Sequence, residues 1–539
     1  MKLRFHWFDY DHFPYEAEFA KAELDTLFNG IEVVEDTEDA LTVEVSNTEN
    51  WAKKAVETTY FQYVESEDEV VVTNQAKLEV AEDSSSIESS DHSLSNYRLG
   101  RQQTRYSSHG IHEYRGKFNP QVVRSIGNRF GLECGDWLLD PFSGSGTALV
   151  EAKHRGWNAV GIEINPLAVK IANAKVDSLE VPEDRLNEEM KSVIEDLRRQ
   201  FQDYTLYSPF PEENIESLAG KGWKEDIQGI DYLESWFVDS VLVQIHAIQR
   251  RLLSVSSDKT QEVLEILLSD ELRDASLQDS GDLRTRKMDD KPANYPLVTK
   301  FIERIEEFLQ TVLRSRTAIT GNGGNQFALE SDSRDFANEV LSHPSLPKDT
   351  KFDGALTSPP YASALPYVDT YRLSMYLFGL IKTGEMREKS RSLIGSRNIK
   401  ETTRREIYDS IETNEHHLPK GCISTCRNLK EAVDSESDGF RRQNRPALVY
   451  QYLVDMKQSF KETYGVLKDK APYGLIVGRN TTELGGEEYV IDNPELLAEL
   501  GEQVGYKVDE RVEMDTHRRY SMHNSNNSID TEQLLVLVK

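Results

Sequence analysis

The stretch that decides the fold is residues 135–147, GDWLLDPFSGSGT, in which an apolar run leads directly into a turn with two glycines. The run is typical of a buried strand, and the glycines mark its end. A helix pattern (TALVEAKHRGW), a strand pattern (NAVGIEIN) and a second helix pattern (PLAVKIANAKV) follow within residues 147–176. This strand–helix–strand–helix order predicts an α/β fold with a parallel, doubly wound sheet.

The chain before this stretch is expected to hold a small domain and a linker. Residues 1–77 predict a small α/β domain, with strands in LRFHWF, ALTVEV and EVVVTN and helices at 15–28 and 50–60. Residues 78–96 are acidic and serine-rich and have little to bury, which is typical of a linker.

The main domain is predicted in two parts. Residues 97–177 form the first part and residues 326–539 the second, because strand patterns stop at one and return at the other. Residues 178–325 have amphipathic helical spacing throughout and predict a helical insertion. Residues 386–446 within the second part are polar and carry several arginines, so they are the candidate target-recognition region.

Composition indicates a protein of the cytoplasm. Hydrophobic residues make up 38% of the chain and charged residues 29%, no apolar run is long enough to span a membrane, and the N-terminus lacks the apolar segment of a signal peptide. Three cysteines are too few for a disulfide framework.

The net charge of −30 argues against a polyanionic partner. Two basic islands weaken that objection. Residues 97–130 hold seven Lys/Arg against one Glu, and residues 387–405 hold seven against two. Each island is either a phosphate-binding patch or only a solvated face.

The glycine turn predicts a site for an adenosyl cofactor. Gly144 and Gly146 make a tight strand-to-helix turn without Cβ atoms, and Glu163 at the end of the next strand can accept both hydroxyls of a ribose. Asp332, just after a later strand, can accept a hydrogen bond from an adenine amine. The candidate cofactor residues from these segments are Asp140, Pro141, Phe142, Gly144, Gly146, Thr147, Glu163, Asn165 and Asp332.

The motif at 357–361, TSPPY, predicts the reaction. An exocyclic base amine is a poor nucleophile, because its lone pair is delocalised into the ring. The oxygen of Ser358 and the carbonyl of Pro359 can accept its hydrogens and draw the nitrogen towards sp³ geometry, while Pro360 stiffens the loop. Tyr361 offers a ring on which a base taken out of its stack can lie.

Together these residues resemble the amino-methyltransferase family of DNA modification enzymes, which make N4-methylcytosine or N6-methyladenine. DPFSGSGT (140–147) matches the cofactor motif of that family and TSPPY its catalytic motif. HGIHEYRGKFNP (109–120) resembles an extra motif that covers the methionine end of S-adenosylmethionine (SAM). The resemblance implies a seven-stranded, Rossmann-like sheet, SAM as cofactor, and positions beside it for Lys117, Phe118 and Pro120.

The resemblance also implies a substrate. In this family a serine before PPY usually accompanies cytosine N4 and an aspartate adenine N6, so Ser358 favours cytosine N4 in DNA, with the target base flipped out of the helix. The motif order indicates a permuted member. Phosphate contacts are expected from the arginines of the second island and of the recognition region: Arg397, Arg404, Arg405, Arg441 and Arg442.

Three alternatives stay open. Transfer-RNA guanine-N2 methyltransferases resemble the chain in motif order and carry a small N-terminal RNA-binding domain, which residues 1–77 would match, but their catalytic motif usually begins with Asp. Adenine N6 is a second alternative, and a non-catalytic nucleic-acid-binding protein with a relic fold is a third. The sequence does not indicate a cognate restriction endonuclease as a partner. No metal site is expected, since His416, His417, Cys422 and Cys426 fit no strong zinc spacing.

Overall fold

The structure of the protein is a computed structural model. It describes residues 1–82, 102–114, 116–202, 215, 219–279, 286–288, 295–321, 323–362, 367–382, 384–397, 399–434, 436–515 and 531–539.

The strands are β1 Lys2–Trp7, β2 Ile31–Asp36, β3 Ala40–Val45, β4 Phe61–Glu65, β5 Val70–Val72, β6 Trp137–Asp140, β7 Asn158–Glu163, β8 Gln326–Glu330, β9 Gly354–Thr357, β10 Pro472–Gly478, β11 Asn480–Leu484, β12 Glu487–Ile491, β13 Lys507–Asp515 and β14 Thr531–Val538.

The α-helices are α1 Pro14–Phe28, α2 Trp51–Ala55, α3 Asn74–Glu82, α4 Pro120–Arg129, α5 Thr147–Arg155, α6 Pro166–Glu180, α7 Glu183–Gln200, α8 Ile230–Leu233, α9 Asp239–Leu252, α10 Asp258–Ala275, α11 Leu297–Ser315, α12 Ala337–Ser342, α13 Tyr367–Thr370, α14 Arg372–Leu377, α15 Met386–Ser392, α16 Glu401–Thr413, α17 Lys420–Ala432, α18 Phe440–Gln443, α19 Arg445–Val466 and α20 Asn493–Val504. Short 3₁₀ turns occupy Ser107–Gly110, Trp223–Asp226 and Arg316–Ala318.

A seven-stranded sheet forms the centre, in the order β13-β14-β10-β9-β6-β7-β8. The pairs from β10 through β8 are parallel, and β14 runs antiparallel to both of its neighbours. Strands β6 and β9 are buried almost throughout, because helices cover both faces of a parallel sheet. The predicted Rossmann-like, mostly parallel fold is confirmed.

The N-terminal residues form a five-stranded antiparallel sheet in the order β2-β3-β1-β4-β5. Its core is continuous with that of the central sheet, since Phe5 and Phe19 belong to the same buried cluster as Leu138 and Ile476. The three predicted strands are present, but the helix predicted over 50–60 ends at Ala55 and β4 follows it.

Two further boundaries differ from the sequence-based expectations. The sequence patterns do not predict strand β2, because it is an edge strand whose residues are nearly all exposed and so carry no alternation. The predicted linker begins inside α3, which continues to Glu82 and buries Leu78. Residues 83–96 of that linker lie outside the described part of the chain.

The region of the predicted helical insertion contains helices α7 to α11 with their connections. These helices pack into one core with α6 and with residues 373–386, because Ile171, Leu267, Phe301 and Leu373 belong to the same buried cluster. None of the described helices has both the length and the apolar character needed to cross a membrane.

Candidate active site

The two motifs meet at the carboxyl edge of the central sheet. Strands β6 and β9 are adjacent and parallel, so the segments that follow Asp140 and Thr357 emerge side by side. Thr357 Oγ1 donates a hydrogen bond of 2.6 Å to Asp140 Oδ1, and the Phe142 amide donates to the same oxygen at 3.1 Å. Burial raises the pKa of Asp140 to about 7, and the two donors act against that rise.

The glycine turn has the backbone that its sequence predicts. Gly144 and Gly146 have φ angles of +49° and +77°, which favour glycine. A Cβ on Gly146 would lie 2.6 Å from the Cβ of Ala172, so α6 itself requires glycine there. A Cβ on Gly144 would meet a single neighbour, Cε1 of Tyr114, at 3.4 Å. Thr147 begins α5 directly after the turn.

Glu163 ties the turn to the end of β7. Its Oε2 accepts from the Gly144 amide at 3.0 Å and its Oε1 from the Asn165 amide at 2.8 Å. Burial raises the pKa of Glu163, and these amides lower it. Asn165 in turn caps α6, since its side-chain oxygen accepts from the Leu167 amide at 3.1 Å.

The residues around the turn fit an adenosyl cofactor. Ser143 Oγ and Asn165 Nδ2 are buried, and neither has a hydrogen-bond partner among the described residues. Buried polar atoms are normally satisfied, so two such atoms beside the half-buried Glu163 and the glycine turn indicate a polar ligand. Pro141 is buried and Phe142 is half-buried beside them.

A buried lysine forms a hydrogen bond with the backbone of the glycine turn, and the sequence did not predict this contact. Lys175 on α6 donates from Nζ to the Ser145 carbonyl at 2.7 Å. Burial lowers its pKa well below the usual range, and the charges of Lys117 and Arg105 lower it further. The sequence feature that could have indicated this role is a lysine on the apolar side of a helix.

The upstream motif is held close to this turn. Pro120 begins α4 after the capping residue Asn119, and Phe118 packs against the core that the N-terminal sheet shares with the central sheet. Lys117 donates from Nζ to the Thr104 carbonyl at 3.4 Å. Tyr114, which sequence reasoning did not single out, is the residue of this segment that faces Gly144.

Asp332 lies after β8, next to the strand that carries Glu163. Both of its carboxylate oxygens accept from Arg334, at 2.9 Å from Nε and 2.5 Å from Nη2. The Arg334 bonds hold the pKa of Asp332 below its usual range against the effect of burial. An adenine amine would therefore share this carboxylate with Arg334.

The loop with the predicted catalytic motif follows β9. Ser358, Pro360 and Tyr361 are half-buried, and Pro359 is buried. Tyr361 donates from its hydroxyl to Glu532 Oε1 at 2.7 Å. Burial raises the pKa of Glu532, and the tyrosine bond lowers it. No sequence pattern pointed to Glu532, since it lies at the start of β14, two residues after Asp530, among polar residues before an apolar run.

Comparison with known proteins agrees with this geometry. The family model of the N6/N4 methyltransferases, described as DNA methylase, matches residues 35–174. The chain is 25% identical over 340 residues to the type II methyltransferase M.MjaII of Methanocaldococcus jannaschii, a match that covers 52% of this chain and 63% of that relative. It is 23% identical over 428 residues to M.BsoBI of Geobacillus stearothermophilus, covering 74% and 79%.

Over the segments that they cover, these matches support the DNA amino-methyltransferase family. A shorter match, 40% identical over 52 residues, links it to the tRNA (guanine(10)-N2)-dimethyltransferase of Methanothermobacter thermautotrophicus and covers 10% of this chain and 16% of that protein. A solved putative DNA modification methylase of Thermus thermophilus aligns with a TM-score of 0.14, at 15% identity over 16% of this chain and 36% of that one. The fold is established by the strand order rather than by that alignment.

The arginines expected to contact nucleic acid fall into two groups. Arg397 and Arg441 are exposed, and Arg405 is 75% exposed beside Glu401. Arg404 is only 13% exposed. It donates to Gln443 and Asn444 and covers the ring of Phe440. Arg442 pairs with Glu483 at 2.9 Å.

Two arginines of the basic island at 97–130 are structural, whereas Arg105 is exposed and Lys117 half-buried. Arg124 is fully buried and donates to Glu151 at 2.8 Å. Arg129 pairs with Glu510 at 2.6 Å and covers the ring of Phe19. Neither arginine belongs to a phosphate patch, so that interpretation is wrong for them. Arg98, Arg101 and Arg115 lie outside the described residues.

Cys422 and Cys426 are core residues of α17. Both side chains are buried in the cluster that also holds Tyr450 and Leu496, and the Cys422 thiol donates to the Leu496 carbonyl at 3.4 Å. Burial raises the pKa of both thiols. Within the described ranges, no group of three or more metal-binding side chains converges.

Proposed function

We propose that this protein transfers a methyl group from SAM to an exocyclic amine of a DNA base, and that the base is cytosine, modified at N4. The observation that carries the proposal is the Thr357–Asp140 hydrogen bond. It joins the first residue of the catalytic motif to the first residue of the cofactor motif. Ser358 is the residue after Thr357, so it begins the loop next to the cofactor turn.

The chemistry needs acceptors for the hydrogens of the amine. SAM, when bound, supplies an electrophilic methyl group on its sulfonium. Ser358 Oγ and the Pro359 carbonyl accept the two amine hydrogens, which localises the lone pair on nitrogen. With SAM held at the glycine turn, its methyl group would pass to the nitrogen, S-adenosylhomocysteine would leave, and the surplus amine proton would go to solvent. Tyr361 provides the ring on which the flipped base stacks.

The neutral side chain of Ser358 is the reason for choosing cytosine N4, since the family resemblance associates serine before PPY with that base. Adenine N6 is the second candidate within the family. Guanine N2 in tRNA is favoured by one observation, the 52-residue match to a tRNA dimethyltransferase, and is otherwise weakened by Ser358.

Contact with the DNA backbone is proposed at the same edge of the sheet. Helix α19 leads into the parallel strand β10, so it begins at the carboxyl edge, where Arg445 donates to Thr482 Oγ1 at 3.2 Å. Burial and the charge of Arg397 lower the pKa of Arg445. Two arginines with interacting charges at this edge of the sheet suit a phosphate, and we propose residues 386–446 as the target-recognition region.

The test is methyl transfer by Ser358→Ala with labelled SAM. DNA, tRNA and total RNA are separate substrates, and the products are separated as nucleosides. We expect N4-methylcytosine from DNA with the wild type, and a rate roughly 30- to 160-fold lower for Ser358→Ala, as a lost hydrogen bond of about 2–3 kcal/mol implies.

The matched control is Ser342→Ala, whose exposed hydroxyl donates to the Glu339 carbonyl far from the motif, and it should leave the rate unchanged. Label in N6-methyladenine from DNA would retain the family and refute the choice of base. Label in N2-methylguanosine from tRNA would make RNA the substrate and residues 1–77 its binding domain.

A further inference from the structure

One short segment outside the helical insertion connects the insertion to the cofactor site. Residues 110–114 lie between the glycine turn on one side and helices α10 and α11 on the other. His112 Nε2 is 2.9 Å from Ser269 Oγ, and that hydroxyl is 2.7 Å from Ser374 Oγ. The segment is therefore attached both to the insertion and to the chain that follows the catalytic loop.

Asp270 on α10 makes the central contacts. Its Oδ1 accepts from the Glu113 amide at 2.7 Å, and its Oδ2 accepts from Arg304 Nε at 3.2 Å. Arg304 on α11 also donates to the Gly110 carbonyl. The side chains of Asp270 and Arg304 are only 15% and 17% exposed, so this charged pair holds both ends of the segment in a partly dry environment.

Tyr114 is the next residue after the anchored amide, and it faces the turn. Its Cε1 lies 3.4 Å from the position of a Cβ on Gly144. On its other side it stacks on Tyr371, with ring centroids 5.3 Å apart and planes at 8°. The Tyr371 hydroxyl donates to the Glu113 carbonyl at 3.1 Å, which closes the arrangement.

We propose that Asp270 is a positioning residue of the cofactor site: it fixes the Glu113 amide and thereby holds Tyr114 against Gly144, where the ring forms one wall of the cofactor pocket. The insertion then contributes to cofactor affinity from outside the sheet. The inference rests on the proposed function for the identity of the cofactor.

The physical reason is the cost of a loose wall. Without the Asp270 carboxylate, the Glu113 amide loses its acceptor and Arg304 loses its charge partner, so the segment is free to move away from the turn. Tyr114 then has to be ordered each time the cofactor binds, and that ordering weakens affinity.

The experiment is calorimetric titration of the full chain with S-adenosylhomocysteine, which binds without reacting. Asp270→Ala and Tyr114→Ala should each weaken binding about tenfold, as expected for one lost contact of this type. Asp270→Asn, which keeps an oxygen for the Glu113 amide, should lose no more than about threefold. Glu306→Ala removes an exposed acid of α11 that pairs with Arg198 and should change nothing.

The double variant separates positioning from general damage to the fold. If Asp270 acts through Tyr114, adding Asp270→Ala or Asp270→Asn to Tyr114→Ala should cause no further loss of affinity. Additive losses would overturn the inference, as would wild-type affinity in Asp270→Ala. Should Asp270→Ala fail to fold, Asp270→Asn in both backgrounds gives the same comparison.

The outcome is distinguishable from failure of the proposed function. Loss of methyl transfer to DNA with intact, non-additive S-adenosylhomocysteine binding would refute the reaction and leave the positioning role. Additive binding data with N4-methylcytosine formed would refute the positioning role alone.

Discussion

Thr357 Oγ1 donates a 2.6 Å hydrogen bond to Asp140 Oδ1, across 217 residues of sequence. Both side chains are buried, and both belong to strands that are neighbours in the central sheet. Replacing Thr357 with Val keeps the shape and removes the donor. We expect the free energy of unfolding in urea to fall by about 1–2 kcal/mol.

The comparison for this variant is Thr350→Val, which removes a hydroxyl that donates to the Pro347 carbonyl at the surface, and it should be nearly neutral. Equal stability of Thr357→Val and Thr350→Val would mean that the buried bond contributes nothing.

Asp140 gives the stability a specific pH dependence. Its pKa is raised to about 7 in the folded protein from an ordinary value of 3.8, so between these values the folded state binds more protons at this site than the unfolded state. Its contribution is therefore present at acidic pH and is lost as pH rises towards and through about 7. Asp140→Asn should gain stability relative to the wild type as pH rises from about 4 to about 7, measured by urea unfolding at each pH. A constant difference would show an unshifted carboxyl.

The two glycines of the turn should respond differently to a methyl group. Gly144→Ala has space beside Tyr114 but meets the strain of a positive φ, so we expect a folded protein with weakened SAM binding. Gly146→Ala overlaps Ala172 on α6, so it should lower the melting temperature as well. Circular dichroism on heating, together with calorimetry with SAM, tests this difference between the variants. Equal melting temperatures of the two variants would contradict it.

Tyr361 should depend on Glu532 for its orientation. Tyr361→Phe retains the ring and loses the 2.7 Å bond, so we expect kcat/KM for DNA to fall about five- to tenfold while SAM affinity is unchanged. Glu532→Gln keeps an acceptor and should stay close to the wild type. Tyr489→Phe, at an exposed hairpin beside Glu487, is the control. A similar loss in both phenylalanine variants would refute the orienting role.

The arginines should separate by exposure in a salt titration of DNA binding. Arg405→Ala and Arg441→Ala remove exposed charges, and each should reduce the log–log salt slope by about one. Arg404→Ala should instead lower stability and leave the slope unchanged, because its side chain contacts Gln443, Asn444 and Phe440. A reduced slope for Arg404→Ala would place that side chain on the phosphates after all.

Sequence patterns were sufficient for the part of the site that consecutive β-α-β units build. Asp140, Gly144 and Glu163 follow strands that neighbour each other because of the connection rule, and their positions at the turn follow from local spacing. Thr357 joins them because β9 pairs with β6.

The remainder depends on contacts between distant elements, which local patterns do not encode. Tyr114 and Glu532 reach the site only through the packing of the insertion and the reversal of β14. Charge counting also gave no sign of the partners that Arg124 and Arg404 have within the fold, because a count of basic residues does not include such partners. Edge strand β2 was not predicted, because its residues are nearly all exposed and lack the alternation on which strand prediction depends.

The long segment between β6 and β9 also delays the pairing of these two strands during synthesis. The Asp140 side of the site leaves the ribosome 217 residues before Thr357, an interval of roughly 10–40 s at ordinary translation rates. Through that interval, strand β6 lacks its neighbour β9, and its edge is open to wrong partners. Helices α7 to α11 are made during this interval, but their buried cluster also includes residues 373–386, so their core is complete only after β9 has been made.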